Sequence, residues 1–242
     1  MEDGMSGWVA KRFWKEARPV ACDGGYTVQL DGRAIKTPAK TLLRVPTLAL
    51  AEAIAGEWDA QADTIDPATM PVTRTANSAL DKVAHQFTEV ADMLAAYGDS
   101  DLLCYRATHP QELVARQSGM WDPLLDWAAD ALGARLRPVS GIMHQPQDGA
   151  ALALLSERVH GMSEFELAGF HDLVAISGSL VLALAVTVER ISVDEAWALS
   201  RVDETWQEEQ WGIDEEASEL AEKKRIDIVN AAWFFHASRR ET

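Results

Sequence analysis

Residues 26–46 read Tyr-Thr-Val-Gln-Leu-Asp-Gly-Arg-Ala-Ile-Lys-Thr-Pro-Ala-Lys-Thr-Leu-Leu-Arg-Val-Pro. Tyr26, Val28 and Leu30 alternate with Thr27 and Gln29, the period of a strand with one apolar face. Asp31-Gly32 is a favoured pair for a two-residue hairpin turn, because both central positions need positive φ. Residues 33–37 then form the returning strand, stopped by Pro38, and residues 41–45 a third, stopped by Pro46. Residues 13–19 supply a further edge strand. The expected product is a small antiparallel sheet.

Beyond Pro46 the period changes from two to that of a helix. Thr47 is a plausible N-cap, and Leu50, Ile54 and Trp58 fall four apart on one face. Pro67 and Pro71 forbid a continuous helix through the next segment. From Ala76 the positions Leu80, Val83, Phe87, Val90, Leu94 and Tyr97 are spaced by threes and fours, which predicts one helix ended by Gly98. Thr108 with Gln111, Ser163 with Glu166 and Ser192 with Glu195 each fit a capping box. Asp122-Pro123 fits a cap followed by proline at the first helical position, and Gly133 can close that helix. Residues 137–149 hold Pro138, Gly141, Pro146 and Gly149 and predict a loop. The fold class is α+β. A small antiparallel β-rich N-terminal domain over 1–70, with one helix near 47–62, precedes a larger all-helical C-terminal domain over 71–242.

Composition narrows the function classes. The chain has 242 residues, 48% hydrophobic, with 38 acidic and 22 basic side chains and a formal net charge of -16. That is globular composition, and its charge repels nucleic-acid phosphates and anionic lipid while attracting a basic protein surface. Cys22 and Cys104 make neither a disulfide scaffold nor a zinc site, which fits a reducing compartment. The start, Met1-Glu2-Asp3-Gly4-Met5, lacks the cationic and apolar regions of a signal peptide. The apolar run over 173–188, interrupted by Ser177, Gly178, Ser179 and Thr187, is short of the ~20 residues of a spanning helix and predicts a buried core helix.

Catalytic motifs are scarce. Gly24-Gly25 marks a turn, and there is no Gly-rich phosphate loop and no nucleophile elbow. The six histidines lack two-His metal spacing; His171 and Asp172 are adjacent, and helical neighbours point in different directions. Asp99 and Asp101 are too few for a calcium site and are assigned to the turn after Gly98. An acid–base hydrolase using a carboxylate pair stays open as an alternative, because so many acids offer no single pair to choose.

One helix carries an unusual surface. Over residues 194–211, Ala196, Leu199, Val202 and Trp206 make a core face. Trp197, Glu204 and Trp211 are seven apart and line a neighbouring face, drifting only ~20° per step. Arg201, Gln207 and Glu208 flank them. An acid between two large aromatics is the composition of an interface hot spot. The same spacing equally fits two tryptophans packed on adjacent helices, with Glu204 paired to Arg201 or to a distant cation. Trp58, in Glu57-Trp58-Asp59-Ala60-Gln61, continues the Leu50 and Ile54 face and is assigned to the core.

Seven stretches in order resemble one known family. They are Lys-Arg-Phe-Trp-Lys at 11–15, Leu-Asp-Gly-Arg-Ala-Ile-Lys-Thr-Pro at 30–38, Glu-Trp-Asp-Ala-Gln at 57–61 and Met-Pro-Val-Thr-Arg at 70–74. Asp-Leu-Leu-Cys-Tyr-Arg-Ala at 101–107, Trp-Asp-Pro-Leu-Leu-Asp-Trp at 121–127 and Asp-Glu-Thr-Trp-Gln-Glu-Glu-Gln-Trp-Gly at 203–212 complete the set. The chain is similar here to the F1-sector assembly chaperones of ATP synthase that attend the alpha subunit. The resemblance implies a β-rich N-terminal domain, a helical C-terminal domain and a chaperone that is not an enzyme. It implies transient binding of unassembled alpha subunit, with no metal or nucleotide cofactor, no nucleic acid and no membrane insertion. It places the acidic motif on Asp203, Glu204 and Gln207, beside Trp197 and Trp211. A monomer in the bacterial cytoplasm is expected, mitochondrial members working in the matrix. A stable structural subunit of a complex is the other alternative.

Overall fold

The computed structural model describes residues 11–141 and 143–239. The chain start considered above for a signal peptide lies outside the described residues. The chain divides into two compact units: one holds it through Asp81 and takes it back from Ala237, and the other runs Lys82–His236.

In the first unit, β1 (Ala17–Cys22) pairs antiparallel along its full length with β2 (Gly25–Leu30). The other edge of β2 is shared by β3 (Arg33–Ala34) and β4 (Arg44–Val45), which lie end to end against it. Asp31 and Gly32 take φ of 47° and 82°, the left-handed pair that the hairpin requires. The returning and third strands are shorter than expected. The chain turns out of the ladder at Thr37-Pro38-Ala39-Lys40, with Lys40 at φ 71°, and only the Lys36–Leu42 bridge joins the two pieces. The edge strand lies further along than residues 13–19, because the Asp31 carboxylate accepts from the Lys15 and Glu16 amides and holds that segment as a turn.

Helix α1 (Leu48–Asp59) lies on β1 and β2 and buries Leu50, Ala51 and Ile54 against Val28, Leu30, Leu43 and Val45. The Thr47 hydroxyl caps it at Leu50 N. Arg12 donates to the Asp59 carbonyl at 2.7 Å and to Gln61, placing a cation at the negative end of the helix. Trp14, 3% exposed, meets Trp58 edge-on at 5.1 Å. Helix α2 (Pro71–Asp81) also belongs to this unit, beyond the boundary expected after residue 70. Its first amides, Val72 and Thr73, donate to the Glu57 carboxylate of α1 at 2.6 and 2.7 Å, and Asp81 at its end accepts from Thr37 and Ala39.

The single helix expected from Ala76 to Gly98 is interrupted. After α2 comes a 3-10 turn at Val83–His85, then α3 (Phe87–Ala95) and a second 3-10 stretch at Ala96–Ser100. Lys82 and Gln86 leave helical geometry between them. Of the expected stripe Val83 and Leu94 are buried, while Leu80, Phe87, Val90 and Tyr97 are half-buried, and the stripe is divided among several short helical pieces.

The second unit is helical apart from a two-residue parallel pair, β5 (Tyr105–Arg106) with β6 (Val139–Ser140). Helix α4 (Gln111–Leu132) carries Asp122-Pro123 in its interior, and Gly133 ends it at φ 72°. Asp122 is not a cap; its carboxylate takes the Arg106 guanidinium at 2.7 Å. The expected capping box at Thr108 is absent too, since Pro110 occupies the cap and the Thr108 hydroxyl meets His109. Helix α5 (Gly149–His160) follows. Ser163 caps α6 (Glu164–Ser177) with the expected reciprocal box to Glu166. His171 does meet its neighbour: Nδ1 lies 2.8 Å from the Asp172 carboxylate, which raises the imidazole pKa.

The buried apolar run is two helices, α6 and α7 (Leu180–Thr187), parted at Gly178 and Ser179, and every residue of α7 is buried. Asp101 closes that joint. It is 0% exposed and accepts from Ser179 Oγ at 2.7 Å, Val181 N at 2.9 Å and Leu103 N at 3.0 Å. Its role is thus to cap two helical starts rather than to make an exposed turn. Burial raises its carboxyl from the ordinary 3.8 to about 6, against the lowering by its donors.

Two outcomes follow. The folded state binds the Asp101 proton more tightly than the unfolded chain, so this group's contribution to stability falls as pH rises from about 4 to about 6. Denaturant titrations across that range should show the stability of the native protein minus that of Asp101→Asn decreasing with pH. Trp58, expected in the core, is half-buried, so Trp58→Ala should lower unfolding free energy by about 1–3 kcal/mol through loss of the Trp14 contact and the α1 packing, measured by urea melts; a loss under about 0.5 kcal/mol would show that the Trp58 side chain does not hold α1.

Candidate functional site

The candidate surface lies in the second unit, where α8 (Val193–Ser200), α9 (Val202–Trp211) and the beginning of α10 (Glu215–Ser238) follow one another. Helix α8 opens with the expected capping box: Glu195 N donates to Ser192 Oγ at 3.1 Å, and Ser192 N donates to the Glu195 carboxylate at 2.8 Å. Those donors hold the Glu195 carboxyl below its ordinary pKa.

The helix predicted over 194–211 is two helices. Arg201 sits between them at φ -116°, ψ 22°. The Ser200 hydroxyl donates to the Trp197 carbonyl at 2.8 Å, and Arg201 N reaches only to Ala198. This local bonding replaces the next α-helical turn. The seven-residue row of Trp197, Glu204 and Trp211 therefore does not continue across the joint.

Helix α4 holds α9 in place. Trp121, 1% exposed, donates its indole N–H to the Leu199 carbonyl at 2.9 Å, just before the joint. Gln117, also 1% exposed, accepts from Ala107 N and donates to the Asp203 carboxylate at 2.7 Å. Arg116 grips Glu209 with two hydrogen bonds of 2.9 and 2.8 Å, and its guanidinium lies 4.8 Å from the Trp206 ring centre. The pairing holds Glu209 below its ordinary pKa and Arg116 above its own. Ala196 and Val202 are buried, while Leu199 is half-buried, as is Trp206 beneath Arg116. The expected core face thus exists on both sides of the joint.

The sequence-selected residues separate into two sets. Trp197 is half-buried with the Arg201 guanidinium 5.3 Å from its ring centre, while Arg201 also pairs Glu208 at 2.9 Å. Asp203 is half-buried and fastened to Gln117. Glu204, Gln207 and Trp211, by contrast, are exposed, and Trp211 is 78% exposed. They stand at i, i+3 and i+7 on one face of α9. Glu204 is not the partner of Arg201, which takes Glu208. Among the described residues Glu204 has neither an ion-pair nor a hydrogen-bond partner.

Arg116 and Gln117 were not singled out from sequence. Their partners lie 93 and 86 residues away, and no local pattern marks them. Trp121 opens the Trp-Asp-Pro-Leu-Leu-Asp-Trp stretch, but its role as an N–H donor to Leu199 depends on the same long-range packing. Among the described residues no three His, Cys, Asp or Glu side chains converge to hold a metal, and no helix is long and apolar enough to cross a membrane.

Known proteins share this fold. Atp12 from Paracoccus denitrificans superposes with a TM-score of 0.92 at 48% identity, covering 95% of this chain and 99% of that one. Atu1473 from Agrobacterium tumefaciens superposes equally well, at 41% identity over 96% of this chain and 87% of that one. The mitochondrial protein atp12 of Schizosaccharomyces pombe is 26% identical over 222 residues, which is 87% of this chain and 76% of that protein. The family model described as ATP12 chaperone protein matches residues 11–129. The fold and these relatives define a chaperone class. The chain belongs to the ATP12 chaperone family.

The fastened and free acids should respond differently to truncation. Asp203→Ala leaves the buried Gln117 amide without its acceptor and should cost about 1–3 kcal/mol in a urea melt. Glu204→Ala should change stability by no more than about 0.5 kcal/mol.

Proposed function

We propose that this protein is an assembly chaperone of ATP synthase that binds the unassembled alpha subunit of F1 and hands it on for assembly with beta. Membership of the ATP12 chaperone family supports the chaperone role. The observation that carries the binding surface is the unpaired, exposed Glu204, on one face of α9 with Gln207 and Trp211, while the neighbouring Glu208 and Glu209 are neutralised by arginines. A carboxylate kept free on the face that also bears, two turns on, an exposed indole is poised for a cation on another protein.

Each residue has a part. An unassembled subunit exposes interface surface that invites aggregation, and that surface includes cationic and apolar groups which its neighbour later covers. Glu204 pairs a cation there, Gln207 supplies an amide, and Trp211 excludes water from the pair. Asp203 acts through Gln117, setting the rotation of α9. Trp197, under Arg201, supports the joint before it. The complex is transient, the protein is a monomer working in the bacterial cytoplasm, and it turns over no substrate.

Removing one partner from a desolvated interfacial charge pair costs about 2–5 kcal/mol, mostly because the other charge is left unpaired. Glu204→Gln should therefore weaken capture of unassembled alpha subunit by at least about tenfold with an unchanged melting temperature. The measurement is a binding titration with purified alpha subunit, assembled F1 serving as the control that is not bound. Capture of alpha by Glu204→Gln at wild-type affinity would remove Glu204 from the binding surface.

A further inference from the structure

Helix α10 has a stripe that only half of the fold uses. Ile228, Ala231, Phe234 and Phe235 are buried in its C-terminal half. Counting back by threes and fours from Ile228, the same face carries Lys224, Ala221, Leu220 and Ala217; Leu220 lies within ~20° of Ala231 around the helix axis. Leu220 is 56% exposed, and Ala217 is exposed as well. The stretch of α10 before Ile228 is about 20 Å long at the α-helical rise, and nearly all of it faces solvent. Ile213, 73% exposed, and Trp211 precede it in the link from α9. Gly212, at φ 92°, ends α9 there in a conformation that a side chain strains to adopt.

Charge identifies the occupant. Between Arg201 and Lys223 the chain has nine carboxylate side chains and no Lys or Arg. Glu208, Glu209 and Glu222 are neutralised by Arg201, Arg116 and Arg225. The remaining acids have no cation among the described residues. This field repels a second copy of a chain of net charge -16 and repels anionic lipid. It attracts a cationic segment, and the apolar strip beneath it needs an apolar face to cover it.

We propose that Trp211, Ile213 and Leu220 form a docking strip for an amphipathic segment of the client whose apolar stripe is flanked by Lys or Arg. The proposal rests on the chaperone reading above and names the chemistry of what is held. Glu204 engages one cation; the strip buries the apolar stripe, and the acids of α10 line its basic edges. Exposed apolar side chains covered by a partner, with a charged rim, are the arrangement of a hot spot inside a polar border.

The test uses the full chain and three synthetic peptides: a Leu/Lys helix with an amphipathic pattern, its Leu/Glu counterpart, and a scrambled Leu/Lys peptide of the same composition. Tight binding of the first alone is expected. The double variant Ile213→Ser/Leu220→Ser should weaken it by about tenfold or more at an unchanged melting temperature, while Met93→Ser, an exposed apolar change on α3, has no effect. Equal binding of the scrambled peptide, or wild-type binding by the double variant, overturns the strip. So does a wild-type dimer in sedimentation that the double variant dissociates. Capture of unassembled alpha subunit by wild type and double variant alike rejects the strip and leaves the chaperone reading. Peptide binding without capture of alpha supports the strip and rejects that partner.

Discussion

A helix with every residue buried must find partners for its end groups inside the protein, and the start of α7 meets that constraint through the Asp101 carboxylate together with the Ser179 hydroxyl, which accepts from Leu182 N at 3.0 Å. Asp101 receives Ser179 Oγ, Val181 N and Leu103 N, and Leu102 N donates to the Gly178 carbonyl beside it. With its start satisfied, α7 can sit among α4, α6 and α8 as the centre of the second unit. The cost is a buried acid whose pKa is driven up to about 6. Leu180, Val181, Leu182 and Ala185 are fully enclosed around it.

The candidate surface is built outward from that centre by α4. Trp121, Gln117 and Arg116 successively contact Leu199, Asp203 and Glu209, so one helix sets the position of the α8–α9 joint and the rotation of α9. The consequence is a division of labour among acids close in sequence. Asp203, Glu208 and Glu209 are committed to holding the helix, and Glu204 is turned to solvent. Rigid presentation of a free charge lowers the ordering cost of binding.

Much of the architecture was legible locally. The period of Tyr26–Leu30 and the Asp31-Gly32 pair located the hairpin, and Thr47, Ser163 and Ser192 located helix starts, because strand alternation and caps act over a few residues. Expectations failed where another group, distant or local, takes an atom that the pattern had assigned, or where the backbone leaves the helix within the pattern. Asp122 is drawn to Arg106 instead of capping a helix, Lys82 and Gln86 interrupt a continuous apolar stripe, and Ser200 bends what spacing alone read as one helix. Periodicity reports which face is to be buried; it carries no information about breaks inserted between pieces that keep the same face.

The sequence by itself determined the α+β order, the capped helix starts, the buried character of residues 173–188 and the concentration of acid and tryptophan near 204. Those properties follow from local sterics, hydrogen bonding and composition. Only the tertiary structure decided which of those groups are free. Whether a carboxylate is spent or available depends on cations and amides brought from α4 across some ninety residues of chain, Arg116 to Glu209 and Gln117 to Asp203. Glu204, Gln207 and Trp211 are left exposed because no such partner is folded against them.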